Sequence, residues 1–188
     1  MKEIQKILDE PQLKVKECHE IRWLSFYEAV QTVYRIWLSL VQCFGAEEDK
    51  KALSKRLTDY RFVFCLHLLM DILPSLALMS LVLQKTDVDI SSVRPALNGV
   101  IDTIKGAKAG SGHSKSYYQR EFKEKKVVSK DKDGKVKSIT FKGVKLGIGH
   151  SKEVNDIRSK FCDDLLSNIQ SRFPRDSLDI ATSFMCLQ

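Results

Sequence analysis

The chain has 188 residues, a length that suits one domain or one domain with an elaborated loop. An apolar content of 43% supports a core, and aromatics at 9% argue against wholesale disorder. The formal net charge of +7, with a pI near 9.1, admits nucleic acid or an acidic membrane surface as a partner. Cys18, Cys43, Cys65, Cys162 and Cys186 are odd in number and widely spaced, which reads as reduced thiols of a cytosolic or nuclear protein. The polar, charged N-terminal stretch does not read as a secretory signal.

Met1 to Asp9 carries Ile4, Ile7 and Leu8 on one side, a short helix stopped by Pro11. Leu13 and Val15 then alternate with Lys14 and Lys16 in an extended approach to Ile21-Arg22-Trp23-Leu24-Ser25. Ser25 and Glu28 have the spacing of a capping box, which predicts a helix beginning right after Trp23. Its apolar positions Phe26, Val30, Val33, Trp37, Leu40 and Phe44 share one face, and Gly45 terminates it. Trp23 sits just outside that stripe, where its ring either packs inward or is presented to a ligand.

Residues 46 to 85 read as one long helix or two joined ones, polar at first and then apolar through Leu53, Leu57, Tyr60 and Phe64. From Phe62 to Leu83 the run is apolar for long enough to span a membrane. His67, Asp71 and Pro74 within it favour a buried, kinked core helix, because ionisable groups are costly at a bilayer centre. Asp71 requires a partner there, and His67 lies one turn earlier. After a break at Thr86 to Asp89, with Asp89, Ser91 or Ser92 as cap, Val93, Leu97, Val100, Ile101 and Ile104 define a helix ended by Gly106, Gly110 and Gly112.

Residues 105 to 150 differ in character. They hold twelve lysines and Arg120 against Glu121, Glu124, Asp131 and Asp133, a balance of +9 within a total of +7, so the rest of the chain carries −2. Val127-Val128 and Val136 to Phe141 flank Asp133-Gly134, a common hairpin turn pair, which predicts a small exposed basic β-hairpin or a mobile loop. Such a run is either a solvated excursion or a phosphate-binding surface; Lys115, Tyr117, Tyr118, Arg120, Lys123, Lys125 and Lys126 are the candidate contacts, with Phe122 as a further ring for bases or sugars. Lysine in place of arginine suits backbone attraction better than base readout.

From Ser151, a potential cap, Val154, Ile157, Phe161, Leu165, Ile169 and Phe173 form a stripe up to Pro174. Asp176 or Ser177 can cap a last helix through Leu178, Ala181 and Phe184. The chain lacks a phosphate-loop, HExxH or GxSxG motif, and its glycine pairs lack a strand-turn-helix frame. Cys18-His19 and Cys65-x-His67 do not have zinc half-site spacing, so no metal or cofactor is expected. Asp163-Asp164 reads as a solvated helix face.

Leu13-x-Val15 leading into Ile21-Arg22-Trp23-Leu24-Ser25, then Tyr60-Arg61-Phe62-Val63 and Asp71-x-Leu73-Pro74, resemble domesticated or decayed hAT-superfamily transposases. Gly143-Val144-Lys145-Leu146 and Asn168-Ile169-x-x-Arg172-Phe173-Pro174 fit the same group, notably the hAT-derived zinc-finger-like proteins of animal genomes. The resemblance covers nearly the whole chain. It implies a helical insertion of an RNase H-like core, in which the tryptophan of the Arg-Trp motif supports flipped DNA at the cleavage site; Arg22 and Trp23 match that motif. The first two catalytic acids and the Cys-x-x-His segment are expected upstream of the motif, and the last acid and the dimerisation segment beyond Gln188. Two-metal strand cleavage requires those carboxylates, so no transposase activity is expected.

The sequence thus predicts a mainly α, single-domain helical bundle of five or six helices, resembling the hAT insertion domain, with a basic hairpin excursion over residues 105–150. The leading functional expectation is an inactive transposase-derived fragment with residual, salt-dependent DNA binding and a nuclear or cytoplasmic location. The alternatives are a protein-interaction or self-associating scaffold, or a fragment of a larger transposase-like protein with no independent activity. No membrane partner is expected.

Overall fold

The computed structural model describes residues 1–15, 23–85, 90–110, 116–148 and 153–174. It is mainly α, with a small antiparallel sheet. Among the described residues there are seven α-helices, more than the five or six expected: α1 (Lys2–Ile7), α2 (Trp23–Arg35), α3 (Trp37–Ala46), α4 (Lys51–Leu57), α5 (Tyr60–Leu83), α6 (Ile90–Ala109) and α7 (Val154–Arg172). A π-helical segment, Tyr118–Lys123, precedes β1 (Val127–Lys130), β2 (Val136–Phe141) and β3 (Val144–Leu146).

The organising element is α5. Asp59 caps it, its Oδ1 accepting the Arg61 N–H at 2.7 Å. This helix is long and apolar enough by length and composition to cross a membrane, yet most of its side chains are enclosed by neighbouring elements, as expected of a core helix. Pro74 lies inside it without interrupting it. Tyr34 of α2 meets His67 edge-on at 5.2 Å, and Trp37 at the start of α3 donates from Nε1 to the Leu57 carbonyl at 3.0 Å. The chain leaving α2 therefore heads toward the start of α5, so the two helices run antiparallel. Lys108 reaches Asp163 at 2.6 Å, and Arg61 faces Glu153 at 4.0 Å, which sets α7 beside α6 with its first turn near the start of α5.

Several local expectations are revised. The predicted single helix from Trp23 to Phe44 bends at Ile36 (φ −114°, ψ 20°) into α2 and α3. Its apolar spacing runs unbroken across the bend because Ile36 and Trp37 are both buried there. Ser25 lies inside the first turn of α2, which begins at Trp23, so the capping-box start is displaced. Phe26 and Leu53, expected on buried faces, are exposed. In α1 the buried side chain is Gln5, whose Nε2 donates to the Leu13 carbonyl at 2.9 Å, whereas Ile7 faces solvent. Glu10 then accepts the Ser39 N–H and hydroxyl at 3.1 and 2.5 Å, tying the N-terminal segment to α3.

The helix predicted over Val93 to Ile104 continues through Gly106 to Ala109 and stops at Gly110, whose φ of +66° leaves the helical region. A Cβ at Gly110 would meet the Arg158 guanidinium, the free end of a flexible side chain that can move aside, so the backbone conformation is what calls for glycine there. The stripe on α7 is as expected, with Val154, Leu165 and Ile169 buried together with Cys162. The expected caps at Asp89 and Ser151 and the helix beyond Asp176 lie outside the described residues, as does the side chain of Ser91.

Candidate nucleic-acid interface

The basic segment begins with a long-range cap. Asp71 on α5 accepts the Ser116 hydroxyl at 2.6 Å, the Tyr117 N–H at 2.5 Å and the Tyr118 N–H at 3.2 Å. It thereby satisfies the open amides at the start of the helical turn leading into Tyr118–Lys123. Burial raises the Asp71 carboxyl above the usual carboxylate range, and the three donors pull it back. The expected Asp71–His67 pair does not form. His67 Nδ1 instead donates to the Val63 carbonyl at 2.7 Å, one turn earlier on its own helix.

The hairpin register pairs Val127 with Thr140, Val128 with Ile139 and Ser129 with Ser138. Opposite Val136 stands Lys130, which leaves Lys137 as the extra residue of a bulge. A third strand, missed in the sequence, adds Val144 opposite Phe141 and Leu146 opposite Ile139. Gly147 continues it into α5: its N–H donates to the Thr58 carbonyl at 2.9 Å and its carbonyl accepts the Tyr60 N–H at 3.0 Å. One sheet face, with Ile139, Phe141 and Leu146 buried, packs on the core. The other carries Val127, Ser129, Ser138, Thr140 and Lys145 outward.

The segment is therefore not a pure excursion. Phe122 and Phe141 are fully buried and enclose His67, with ring centroids at 5.1 and 5.2 Å. Beyond this root every residue from Ser129 to Lys137 is exposed, so a two-stranded tip projects from the bundle. Asp131 fixes the tip: its Oδ1 accepts the Asp133 and Lys135 N–H groups at 3.0 and 2.8 Å, and Gly134 has a φ of +75°.

The candidate contacts divide into three groups. Arg22 and Lys115 lie outside the described residues. Tyr117 and Tyr118 are partly buried, their rings set against Tyr34 and Phe64 at 5.2 Å, and Phe122 is wholly internal, so these aromatics serve the core. Trp23 is also partly buried and packs on the core at the first turn of α2. The sheet adjoins the opposite end of that helix, where Lys142 lies 5.7 Å from the Tyr34 ring. About 18 Å of helix separates the two ends at 1.5 Å per residue. The Arg-Trp tryptophan and the basic hairpin are thus not brought into one site.

Among the cations, Lys125 is engaged with Glu121 at 2.8 Å, which holds that carboxyl below its usual range, and Arg120 lies 4.0 Å from the same carboxylate. Lys126 donates to the Tyr60 hydroxyl at 2.8 Å and lies over the Tyr60 and Phe122 rings. Lys123 is exposed. The structure adds residues the sequence did not single out: Lys130, Lys132, Lys135 and Lys137 surround the projecting tip, and Lys145 stands on the outer sheet face. Among the described residues none of these five forms an ion pair. Their shared signal was present all along as lysine density on either side of Asp133-Gly134.

A cavity of about 270 Å³ between α5, α6 and Tyr117-Tyr118 has Asp71 and Asp102 in its lining. Its carboxylates make it unsuited to phosphate. No cluster of three His, Cys, Asp or Glu side chains occurs among the described residues. Compared with protein-family models and with solved structures, the chain shows no match.

Proposed function

We propose that the chain is a non-catalytic, hAT-transposase-like helical module that binds nucleic acid through its basic hairpin without regard to sequence. The observation that carries this reading is the cluster of Lys130, Lys132, Lys135 and Lys137, exposed and, among the described residues, free of ion pairs on a tip whose root is part of the core. A cationic surface of this kind attracts phosphate by releasing condensed counterions, so affinity falls steeply with salt. The resemblance in the Arg-Trp region supports a DNA-facing ancestry, but the placement of Trp23 argues that present binding rests on the hairpin alone.

The test is fluorescence anisotropy of residues 1–188 with a labelled DNA hairpin across a salt series. Engagement of four lysines gives a slope of log affinity against log salt of about −3 to −4. Replacing Lys130, Lys132, Lys135 and Lys137 together with glutamine should weaken low-salt binding by about tenfold or more, while Trp23→Ala alters stability and leaves the salt slope unchanged. A flat salt response, or equal binding by the fourfold variant, refutes the reading.

A second reading, a protein-docking or self-associating scaffold, is favoured by Leu78, Leu81 and Leu83 near the end of α5, exposed at 62, 45 and 37%. Salt-insensitive self-association in sedimentation, removed by Leu78→Glu, would support it over the first.

A further inference from the structure

Resting on that reading, we infer that the preferred partner of the hairpin is B-form duplex DNA, taken by insertion of the β1–β2 tip into the major groove with contacts to the flanking phosphates. Three features of the segment converge on this partner.

The first is where the aromatic rings go. Proteins that hold single strands stack bases on exposed rings. Here Phe122 and Phe141 are fully buried, and Tyr117 and Tyr118 are turned against Tyr34 and Phe64. From Lys123 to Gly147 the only aromatic residue is Phe141, so the exposed tip and outer face present no ring for a base to stack on.

The second is shape. The tip is two antiparallel strands with every side chain from Ser129 to Lys137 exposed. Strands about 4.8 Å apart, with side chains added, make a ribbon on the order of 10 Å wide. The B-DNA major groove, about 12 Å wide, admits a two-stranded ribbon. The A-form major groove of duplex RNA is too narrow and deep for side chains to enter. Lys130 and Lys132 on one arm, with Lys135 and Lys137 on the other, place cations toward both walls of such a groove.

The third is the chemistry of the ribbon. Residues 123 to 147 contain no arginine, asparagine or glutamine, the planar side chains whose forked groups match base edges, and lysine offers only a flexible point charge in their place. Lysines, with the Ser129, Ser138 and Thr140 hydroxyls, contact phosphates and fix position without reading sequence. The recognition is of duplex form, indifferent to base order.

The experiment compares residues 1–188 against a labelled 20-base-pair DNA duplex, the same top strand alone, and the RNA duplex of equal sequence, at one ionic strength. A scrambled DNA duplex serves as the sequence control, and Lys132→Glu with Lys135→Glu as the variant. These exposed tip positions leave the core untouched, which thermal melting checks. Duplex DNA should bind at least tenfold more tightly than either alternative, within twofold of its scrambled form, and the double variant should lose about tenfold or more. Equal or tighter binding of the single strand or of duplex RNA overturns the inference while leaving nucleic-acid binding intact. A preference above tenfold between the two DNA sequences overturns its sequence-neutral character. No binding to any of the probes at low salt overturns both this inference and the function on which it rests.

Discussion

His67 is almost wholly enclosed by the core. Its Nδ1–H is used by the Val63 carbonyl, which fixes the tautomer and leaves the Nε2 lone pair buried with no partner among the described residues. Tyr34, Phe122 and Phe141 surround the ring, Lys142 opposes its protonation and Glu121 favours it weakly. Burial is the dominant effect and lowers its pKa from 6.5 to about 4. The unfolded chain therefore binds a proton in this interval that the folded chain refuses. Stability from His67 is fully present above pH 6.5 and is lost as pH falls toward about 4, on the order of 3 kcal/mol across the window. Asp71, with its carboxyl raised above 3.8, works in the opposite sense, adding stability as pH falls through the window just above that value. Urea titrations at several pH values should show this loss in the parent and a slope shallower by about one proton in His67→Met; an unchanged slope would mean the ring is protonated without cost. The sequence made it legible that Asp71, inside an apolar helix, had to have a partner. It did not reveal which. His67 was the nearest choice along the helix, whereas the true donors lie 45 to 47 residues away and meet Asp71 only after α6 has turned the chain back.

At the scale of elements, the sheet shows which signals carried and which did not. Asp133-Gly134 between two β-branched runs made the first hairpin readable. Lys142-Gly143 is the same kind of signal, with φ of 47° and 77° at a two-residue turn, but only three residues of strand follow it and their alternation is too short to stand out. The bend at Ile36 had no signal at all, since both sides of it supply buried apolar residues at helical spacing. The two hairpin glycines now make different predictions. A Cβ at Gly143 or at Gly134 meets nothing within 4 Å, so substitution costs only backbone strain in both places. Gly143→Ala should destabilise the whole protein by about 1–2 kcal/mol, because Phe141 and Val144 on either side belong to the packed root. Gly134→Ala should lower global stability by much less, since the exposed tip can fray and shed the strain locally. Equal losses in chemical denaturation would show instead that the tip folds as one unit with the core.

The whole molecule joins a near-neutral helical bundle to a cationic projection, and the boundary between them is not the one that charge density draws along the sequence. Lysines run through the segment from residue 105 to 150, yet the root of that stretch contributes Phe122, Ile139, Phe141 and Leu146 to the core. Removing the entire basic stretch would therefore take away core as well as charge. Truncation of a single buried phenylalanine costs about 3–5 kcal/mol and of an isoleucine or leucine about 2–5, so the four together come to about 10–20 kcal/mol, as large as the 5–15 kcal/mol by which ordinary domains are stable. Deletion of residues 113–149 should thus give a chain without a cooperative melting transition. Replacing residues 130–137 with an Asn-Gly turn removes the four tip lysines and spares every buried side chain of the root, so it should melt within a few degrees of the parent. Thermal circular dichroism on the two variants decides the matter. Cooperative melting of the long deletion would show that the sheet is an appendage, and collapse of the short replacement would show that the tip itself supports the fold. The predicted pair of outcomes separates a surface that can be stripped of its charge from a root that cannot be removed, and it makes the short replacement the proper control for any binding measurement.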